Sequence, residues 1–548
     1  MPDYSDLGLL AGIEIHQQLD TKEKLYCRSP TCLRKADEHT GDFTRYLRAT
    51  ESEMGEIDRA AKEEMQIARR FRYYTYDTTC LVENDEEPPA PMNAEALSIC
   101  LAIAKSFSMQ PVRQIHTMRK LVIDGSNTSG FQRTALVAMD GVLPNGGRVE
   151  TICLEEEAAQ RIDDQTFSLD RLGIPLVEIT TSPCLHTPDE VHDVAEYIGM
   201  VLRSTGCVKR GIGTIRQDVN ISIRGGARVE IKGVQELDLI AEVVRREAAR
   251  QQNLIVIRAD LKARCASVSP DTVDVTSLFS GTASKVLAKA PVVLAVKLPG
   301  FAGIVGREIQ PGRRLGSEMA DYAKKCGIGG LFHTDELPAY GVTADEVARL
   351  REALCAENDD AIVLVAGPKD RASCAARQVQ RRASLALEGV PEETRRMLED
   401  GSTAYMRPLP GAARMYPETD VLPVIVSEEL WASVVKPELL TDRAAKFVQR
   451  FGLDGALARQ IAFSERLPLF EEAVAAGCQP TLACRTLVAT LRELKRDGVA
   501  IEKLSDDSIL TILQTIERGG LAKEAVPAVL AAVAEGKTVE AAIQIIAP

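Results

Sequence analysis

Four residues far apart in the chain have the chemistry of a cation site. Glu14 and His16 lie in Gly12-Ile13-Glu14-Ile15-His16-Gln17-Gln18-Leu19-Asp20-Thr21. Glu155 lies in Leu154-Glu155-Glu156-Glu157-Ala158-Ala159, and Glu178 in Arg171-Leu172-Gly173-Ile174-Pro175-Leu176-Val177-Glu178-Ile179. Oxygen-rich sets suit magnesium, which prefers carboxylates, waters and phosphate oxygens. Histidine is a less usual magnesium ligand, so manganese can substitute at such a set. The competing reading is a buried carboxylate–histidine pair with a purely structural role.

Further downstream, Gly213-Thr214-Ile215-Arg216-Gln217-Asp218-Val219-Asn220 and Glu230-Ile231-Lys232-Gly233-Val234-Gln235 carry a second group of polar residues. Asp218 and Asn220 could position a nucleotide, a second cation or waters, or simply bond across strands. Arg216 and Lys232 could hold phosphate oxygens, because phosphoryl transfer requires spread positive charge. As isolated basic residues they serve equally as salt-bridge partners. Arg119-Lys120 carries the same ambiguity.

The segment Ile123-Asp124-Gly125-Ser126-Asn127-Thr128-Ser129-Gly130-Phe131-Gln132-Arg133-Thr134 is small, polar and glycine-containing. Such a loop needs a partner for each polar group it buries, and wrapping a phosphate or ribose would supply them. Ser129, Gln132 and Arg133 are its candidate contacts; a plain surface loop fits as well. Cys27-Arg28-Ser29-Pro30-Thr31-Cys32, with Cys80, hints at zinc, but four thiolates are not available locally. Free thiols are the expectation. His333 and Asp335 look like an acid–base or metal pair; a structural or RNA-contact role is expected instead. No Walker A motif, kinase signature or dinucleotide fingerprint appears.

The elements that must position these residues are legible from periodicity. Ile13 and Ile15 turn to one strand face, which places Glu14 and His16 together on the other. Val219, Ile221 and Ile223 do the same for Asp218, Asn220 and Ser222, and Val229 with Ile231 for Glu230 and Lys232. A half-buried, antiparallel sheet with a charged concave floor follows. Asn93 caps one helix. Thr187-Pro188-Asp189-Glu190 is a capping box that opens another, burying Val191, Ala195, Ile198 and Leu202. A third helix is expected over 238–252. Near residue 270 the texture changes: 273–279 and 292–298 read as strands, 300–314 is glycine-rich, and 344–356 and 372–388 read as helices. From about 428 the spacing is helical.

A chain of 548 residues implies three or four domains. Hydrophobic content of 45% and charged content of 26% are ordinary for soluble proteins, and no apolar run reaches transmembrane length. A cytoplasmic location is expected. Thirteen scattered cysteines, an odd count, argue for free thiols. A net charge of −13 argues against a generally basic nucleic-acid coat but allows a local basic patch.

In their order and spacing these segments, together with Met406-Arg407-Pro408-Leu409-Pro410-Gly411-Ala412-Ala413-Arg414-Met415-Tyr416-Pro417-Glu418-Thr419-Asp420, resemble the GatB/GatE family of tRNA-dependent amidotransferases. The resemblance runs from about residue 8 to at least 425. It implies an α+β multidomain protein: a mixed or antiparallel-sheet cradle domain over 1–270 and 403–428, an inserted α/β domain of the aspartyl-tRNA-synthetase type over 271–402, a helical domain over 429–505, and from 506 the start of a YqeY-like tail. The inserted segment points to the archaeal GatE branch rather than the bacterial GatB branch.

The resemblance further implies magnesium on His16, Glu155 and Glu178, with Glu14 beside them, and ATP as co-substrate. It implies Glu-tRNA(Gln) as acceptor and an asparaginase-like partner, GatD, as ammonia source, the two chains pairing as a dimer of heterodimers. A non-catalytic tRNA-binding module is the alternative; the converging carboxylates count against it. Two further expectations follow, the first from the layout and the second from the resemblance. The insertion over 275–400 should be removable with the cradle left folded, because loop closure depends weakly on length. The tail is expected to be shorter than in relatives, with Ile543, Ile545 and Ile546 left apolar and tRNA bound more weakly.

Overall fold

The computed structural model describes residues 4–47, 70–409 and 414–546. Positions 410–413 of the Met406–Asp420 motif therefore lie outside the described residues, as do Ala547 and Pro548. The described residues form two compact units, residues 1–197 with 207–435, and residues 198–206 with 436–548.

The first unit is built on an 11-stranded sheet. Ten of its strands are, in chain order, β1 (Leu10–Gln18), β2 (Thr117–Leu121), β3 (Phe131–Val142), β4 (Arg148–Glu156), β5 (Pro175–Thr181), β6 (Ile215–Ser222), β7 (Val229–Val234), β8 (Glu393–Met397), β9 (Thr403–Pro408) and β10 (Met415–Pro417). Their spatial order is β9-β8-β7-β6-β1-β5-β4-β3-β2-β10, with Gln110–Pro111 paired to β3 off that path. The pairings are antiparallel except β7 with β8, which is parallel. Ile13, Ile15, Val219, Ile221, Val229 and Ile231 are buried, so period-2 patterning gives the sheet its apolar face.

Helix α1 (Ala94–Ser106) starts where expected: the Asn93 side chain accepts from the Glu95 and Ala96 amides. Helix α2 (Pro188–Ser204) starts at Thr187, whose hydroxyl accepts from Glu190 N. Glu190 completes the cap one residue early, on the His186 amide at 2.7 Å. Helix α3 (Leu237–Ala263) runs about three turns past the expected end. Leu254, Ile257 and Leu261 continue its apolar stripe into a separate core, and that tertiary burial sustains the extra length.

The separate core belongs to a four-stranded sheet between α3 and β8, ordered Thr272–Asp274, Val292–Leu298, Ala361–Gly367, Leu331–His333. Leu294, Val296, Val363 and Val365 face α4 (Leu315–Lys324) and α6 (Lys369–Glu388). Val293, Ala295, Ile362 and Leu364 face the side of α5 (Ala344–Ala353). Both faces are covered, so these strands read as continuous apolar runs. The expected strand over 273–279 is cut short: Asp274 accepts from the Thr276 amide and hydroxyl, which turns the chain after Asp274.

The chain re-enters the large sheet at β8, not at residue 403, because β8 pairs with β7 through Val229↔Glu393 to Lys232↔Arg396. The contacts of the insertion weigh against the expectation that 275–400 is removable. Glu318 of α4 is fully buried and takes Arg250 of α3 (2.9 Å), Arg382 of α6 (3.0 Å) and Arg395 of β8 (2.9 Å). Arg250 also bonds Glu247, and Tyr322 donates to Glu393 at 2.7 Å. Excising the insertion would strip Glu318 and Glu393 from Arg250 and leave it Glu247 alone.

One cysteine expectation also changes. Cys326 and Cys374 form a disulfide that ties the end of α4 to α6, with Cα atoms 5.8 Å apart. Scattered spacing could not reveal it, since the two thiols meet only through helix packing. The other eleven cysteines are in no disulfide.

The second unit is helical, as expected, with helices at Leu440–Phe451, Gly455–Ala462, Leu467–Ala475, Pro480–Arg485, Leu491–Arg496, Asp506–Glu517, Val526–Ala534 and Val539–Ile546. Phe447 and Phe470 pack at 5.2 Å between ring centroids, and Ile461, Ile512, Leu513 and Leu530 fill its core. Among the described residues no helix is long and apolar enough to cross a membrane.

Candidate active site

Register assembles the site from distant segments. His16 on β1 stands opposite Glu178 on β5 and Arg216 on β6. Glu14 stands opposite Asp218, and Asn220 lies between Gly12 and Glu230. Glu155 on β4 is opposite Thr134 and one strand away from Glu178. All these side chains project from one face, the charged floor.

The floor has a tight centre. His16 Nε2 is 3.1 Å from Glu178 Oε2, 3.4 Å from Glu14 Oε1 and 3.9 Å from Glu155 Oε2. Ligating atoms of Glu14, His16 and Glu178 all lie within 4.8 Å of one another, and so do those of Glu14, Asp218 and Glu230. Glu155 stands slightly outside: its Oε1 accepts from Lys120, and its Oε2 accepts from Gln132 at 3.2 Å. Lys120 also reaches Glu178 at 3.3 Å. On the other side Lys232 bridges Asp218 (2.6 Å) and Glu230 (2.5 Å).

Electrostatics shows a surplus of negative charge. Burial and the neighbouring Glu178 charge push Glu14 up to about 7, against the pull of His16 and Lys232. Burial opposes a charged His16, but the hydrogen bond and charge of Glu178 outweigh it and lift His16 to about 9. Burial likewise works against the Glu178 carboxylate, yet Lys120 and His16 hold it well below the usual range. Lys232 is held protonated: burial opposes its charge, and Asp218 and Glu230 prevail. An imidazole nitrogen and several carboxylates, converging with one of them half ready to protonate, fit a small hard cation.

Other sequence candidates are placed differently. Arg133 is turned to the face opposite Gln132, where it is buried and paired with Glu418 (2.8 Å) and Glu156 (3.4 Å) over the Tyr26 ring. Strand alternation decides this: adjacent residues cannot share a face. Arg133 therefore does not line the floor, although Gln132 does. Ser129 donates to its own loop at Phe131 O, 3.0 Å away. The loop around it is packed rather than open. Asn127 and Thr128 are buried, Tyr73 donates to Gly125 O, and a Cβ on Gly125 (φ +97) would stand 2.5 Å from the Phe71 ring. Arg216 reaches the floor's rim and binds Glu157 at 2.7 Å.

Three contributors escaped the sequence reading as site residues. By sequence Lys120 is an ambiguous cation; the pairing of β2 with β3 puts it opposite Gln132. Glu230 was visible as the polar partner of Lys232. Glu157 gave no usable signal: it is buried beside Arg216 and Gln18, and only the end of β4 aims it there. Of the cysteines, Cys27 and Cys80 converge with Glu83 while Cys32 stays apart and exposed. Lys24 is ion-paired to Glu83 in the same cluster, so it is not a closed thiolate site. Asp335 is structural, accepting from the Gly303 and Gly306 amides at 2.9 and 2.8 Å.

A sheet whose polar floor gathers these carboxylates, one imidazole and two ammonium groups defines a class. Residues 9–432 match the GatB/GatE catalytic domain, and the chain belongs to the GatB/GatE family. Within that family it is similar to proteins named as the GatE component of glutamyl-tRNA(Gln) amidotransferase. The one from Methanospirillum hungatei is 66% identical over 100% of this chain and 89% of its own length. Those from Methanosarcina barkeri (56%, covering 97% and 87%) and Archaeoglobus fulgidus (55%, covering 96% and 86%) are similar over nearly the whole chain. Family and relatives together place the chain among the carbon–nitrogen ligases, as an amidotransferase.

Proposed function

We propose that this chain is the component that phosphorylates and then amidates the glutamyl group of Glu-tRNA(Gln). The observation that carries the reading is the surplus of carboxylate around His16, Glu14 and Glu178, flanked by Lys120 and Lys232. A carboxylate cannot be amidated directly, because oxide is a poor leaving group. A glutamyl oxygen attacks the γ-phosphorus of ATP and ADP leaves. Ammonia then attacks the carbonyl carbon of the acyl phosphate, sheds a proton, and phosphate leaves to give Gln-tRNA(Gln).

The residues that would hold magnesium are His16, Glu14 and Glu178, with Glu155 adjoining. When bound, magnesium neutralises phosphate charge. Lys120 and Lys232 contribute fixed positive charge from either side of this centre. Gln132 and Lys120 fix the Glu155 carboxylate.

Ammonia comes from the asparaginase-like partner GatD, since no amide-hydrolysing signature stands in the sequence. The pair assembles as a dimer of heterodimers in the cytoplasm. The insertion, likened to the aspartyl-tRNA-synthetase module, and the helical C-terminal region hold the tRNA.

The test measures ADP release by the purified chain with ATP and magnesium. Stimulation by Glu-tRNA(Gln) but not by deacylated tRNA is expected, and added ammonium should support Gln-tRNA(Gln) formation where glutamine does not. Equal stimulation by both tRNAs would favour a tRNA-binding role without chemistry on the glutamyl group.

A further inference from the structure

We propose that Cys27 and Cys80 are a thiol–disulfide pair, a site of reversible covalent modification that closes by exchange with a small disulfide. The two cysteines are far apart in the chain, and the fold brings their sulfurs together. Both sulfurs and a Glu83 carboxylate oxygen lie within 4.8 Å of one another, and the two thiols share a hydrogen bond.

The surroundings leave the thiols to each other. Glu83, the third member, is committed elsewhere. Lys24 is ion-paired to it, Ser29 Oγ donates to its Oε2 at 3.0 Å, and the Cys80 amide donates to the same oxygen at 2.5 Å. Cys32 stays exposed and outside the cluster. Two sulfurs beside an occupied carboxylate make a poor cation site. Neither cysteine belongs to a helix or strand. Cys27 lies in a bend, and Cys80 starts a turn in which the Asn84 amide donates to Cys80 O at 3.3 Å. Forming the bond therefore asks for side-chain rotation and a small loop shift, without breaking a strand ladder.

The two thiols are unequal, which suits exchange. Cys80 is half-buried, whereas Cys27 is only 8% exposed. The hydrogen bond from Cys27 pulls Cys80 below the ordinary thiol range although burial opposes it, and the same bond, with burial, raises Cys27. Cys80 is thus the attacking sulfur and Cys27 the resolving one. The Cys80 thiolate attacks one sulfur of the small disulfide, whose S–S bond breaks and releases one thiol. The Cys27 thiol then gives up its proton, attacks the Cys80 sulfur and releases the second. Two electrons pass from the cysteine pair to the small disulfide, and the two cysteine protons leave on the two small thiols. The bond fastens the Lys24–Ser29 segment to the turn at Cys80. Glu83 O of that turn accepts from Thr128 Oγ1 at 2.7 Å, in the loop that leads into β3.

The experiment equilibrates the full chain with reduced and oxidised glutathione at graded ratios, traps thiols by alkylation after acid quenching, and maps the peptides by mass spectrometry. A Cys27–Cys80 linked peptide should appear as the ratio turns oxidising and vanish when it is reversed, in one two-electron transition. Exposed Cys265 and Cys355 report single thiols, which gain only bound glutathione. In Cys27→Ser the resolving sulfur is gone, so glutathione on Cys80 should rise about fivefold or more over the natural chain. In Cys80→Ser, Cys27 should remain alkylatable. The linked peptide is read on the natural chain, so it decides the matter whether or not a variant folds. Absence of that peptide, a Cys27–Cys32 link in its place, glutathione accumulating on Cys80 of the natural chain as it does on Cys265, or one zinc per reduced chain that is lost in Cys80→Ser would each overturn the proposal.

Discussion

Two charge clusters sit along the same large sheet, and they are built to opposite ends. At the root of the insertion, Arg250, Arg382 and Arg395 face Glu247, Glu318 and Glu393 in full burial. The three guanidiniums hold Glu318 well below the usual carboxylate range although burial opposes its charge. Positive and negative groups balance, three against three, although Arg250 Nη2 and Arg382 Nη1 make no hydrogen bond. On the floor, Glu14, Glu155, Glu178, Asp218 and Glu230 outnumber His16, Lys120 and Lys232. Glu14 is already pushed up to about 7 by burial and by Glu178. The balanced cluster is a joint; the unbalanced one is a site waiting for a cation. Burial alone does not separate them, since both are largely closed to water. Charge balance does.

The largest test of this contrast is removal of the joint. Replacing residues 275–400 by a short linker is expected to give aggregated or non-cooperatively melting protein, seen by size exclusion and circular dichroism. A monodisperse chain with a sharp transition would show the cluster to be dispensable. Next, Glu178→Gln should slow formation of the γ-glutamyl phosphate by roughly a hundredfold or more, several kcal/mol, in single-turnover assays. Its folding free energy should change far less than its rate.

Glu318→Gln reverses that pattern. It leaves three buried guanidiniums short of a partner and should cost roughly 3–5 kcal/mol in urea denaturation. Activity at low temperature should persist. Adding manganese or magnesium should raise the melting temperature of the wild type and of Glu318→Gln, with the rise growing with cation concentration. Glu178→Gln should lose that response; an equal rise in all three would place the cation elsewhere. The smallest effect belongs to an exposed ion pair: Arg148→Ala, which removes the partner of Asp140, should leave the denaturation midpoint within error.

Local rules made much of this molecule readable. Alternation in Ile13-Glu14-Ile15-His16 and in Asp218-Val219-Asn220 put the right side chains on one face, and Asn93 and Thr187 marked two helix starts. These follow from period and capping, which act over a few residues and survive without knowledge of neighbours. The same rule, carried one residue further, would have separated Gln132 from Arg133.

What the sequence could not supply is which strands lie side by side. That β5 and β6 flank β1 decides that Glu178 meets His16 and that Asp218 meets Glu14. The packing of α4 against α6 decides that Glu318 meets Arg382 and that Cys326 meets Cys374. Helix α3 outruns its own propensity because a second core receives Leu254, Ile257 and Leu261. Each of these depends on contacts hundreds or tens of residues apart, fixed only when burial of the whole apolar face selects one register among many. The residues that can do chemistry were in the sequence; their distances, and therefore their charge states, came from the fold.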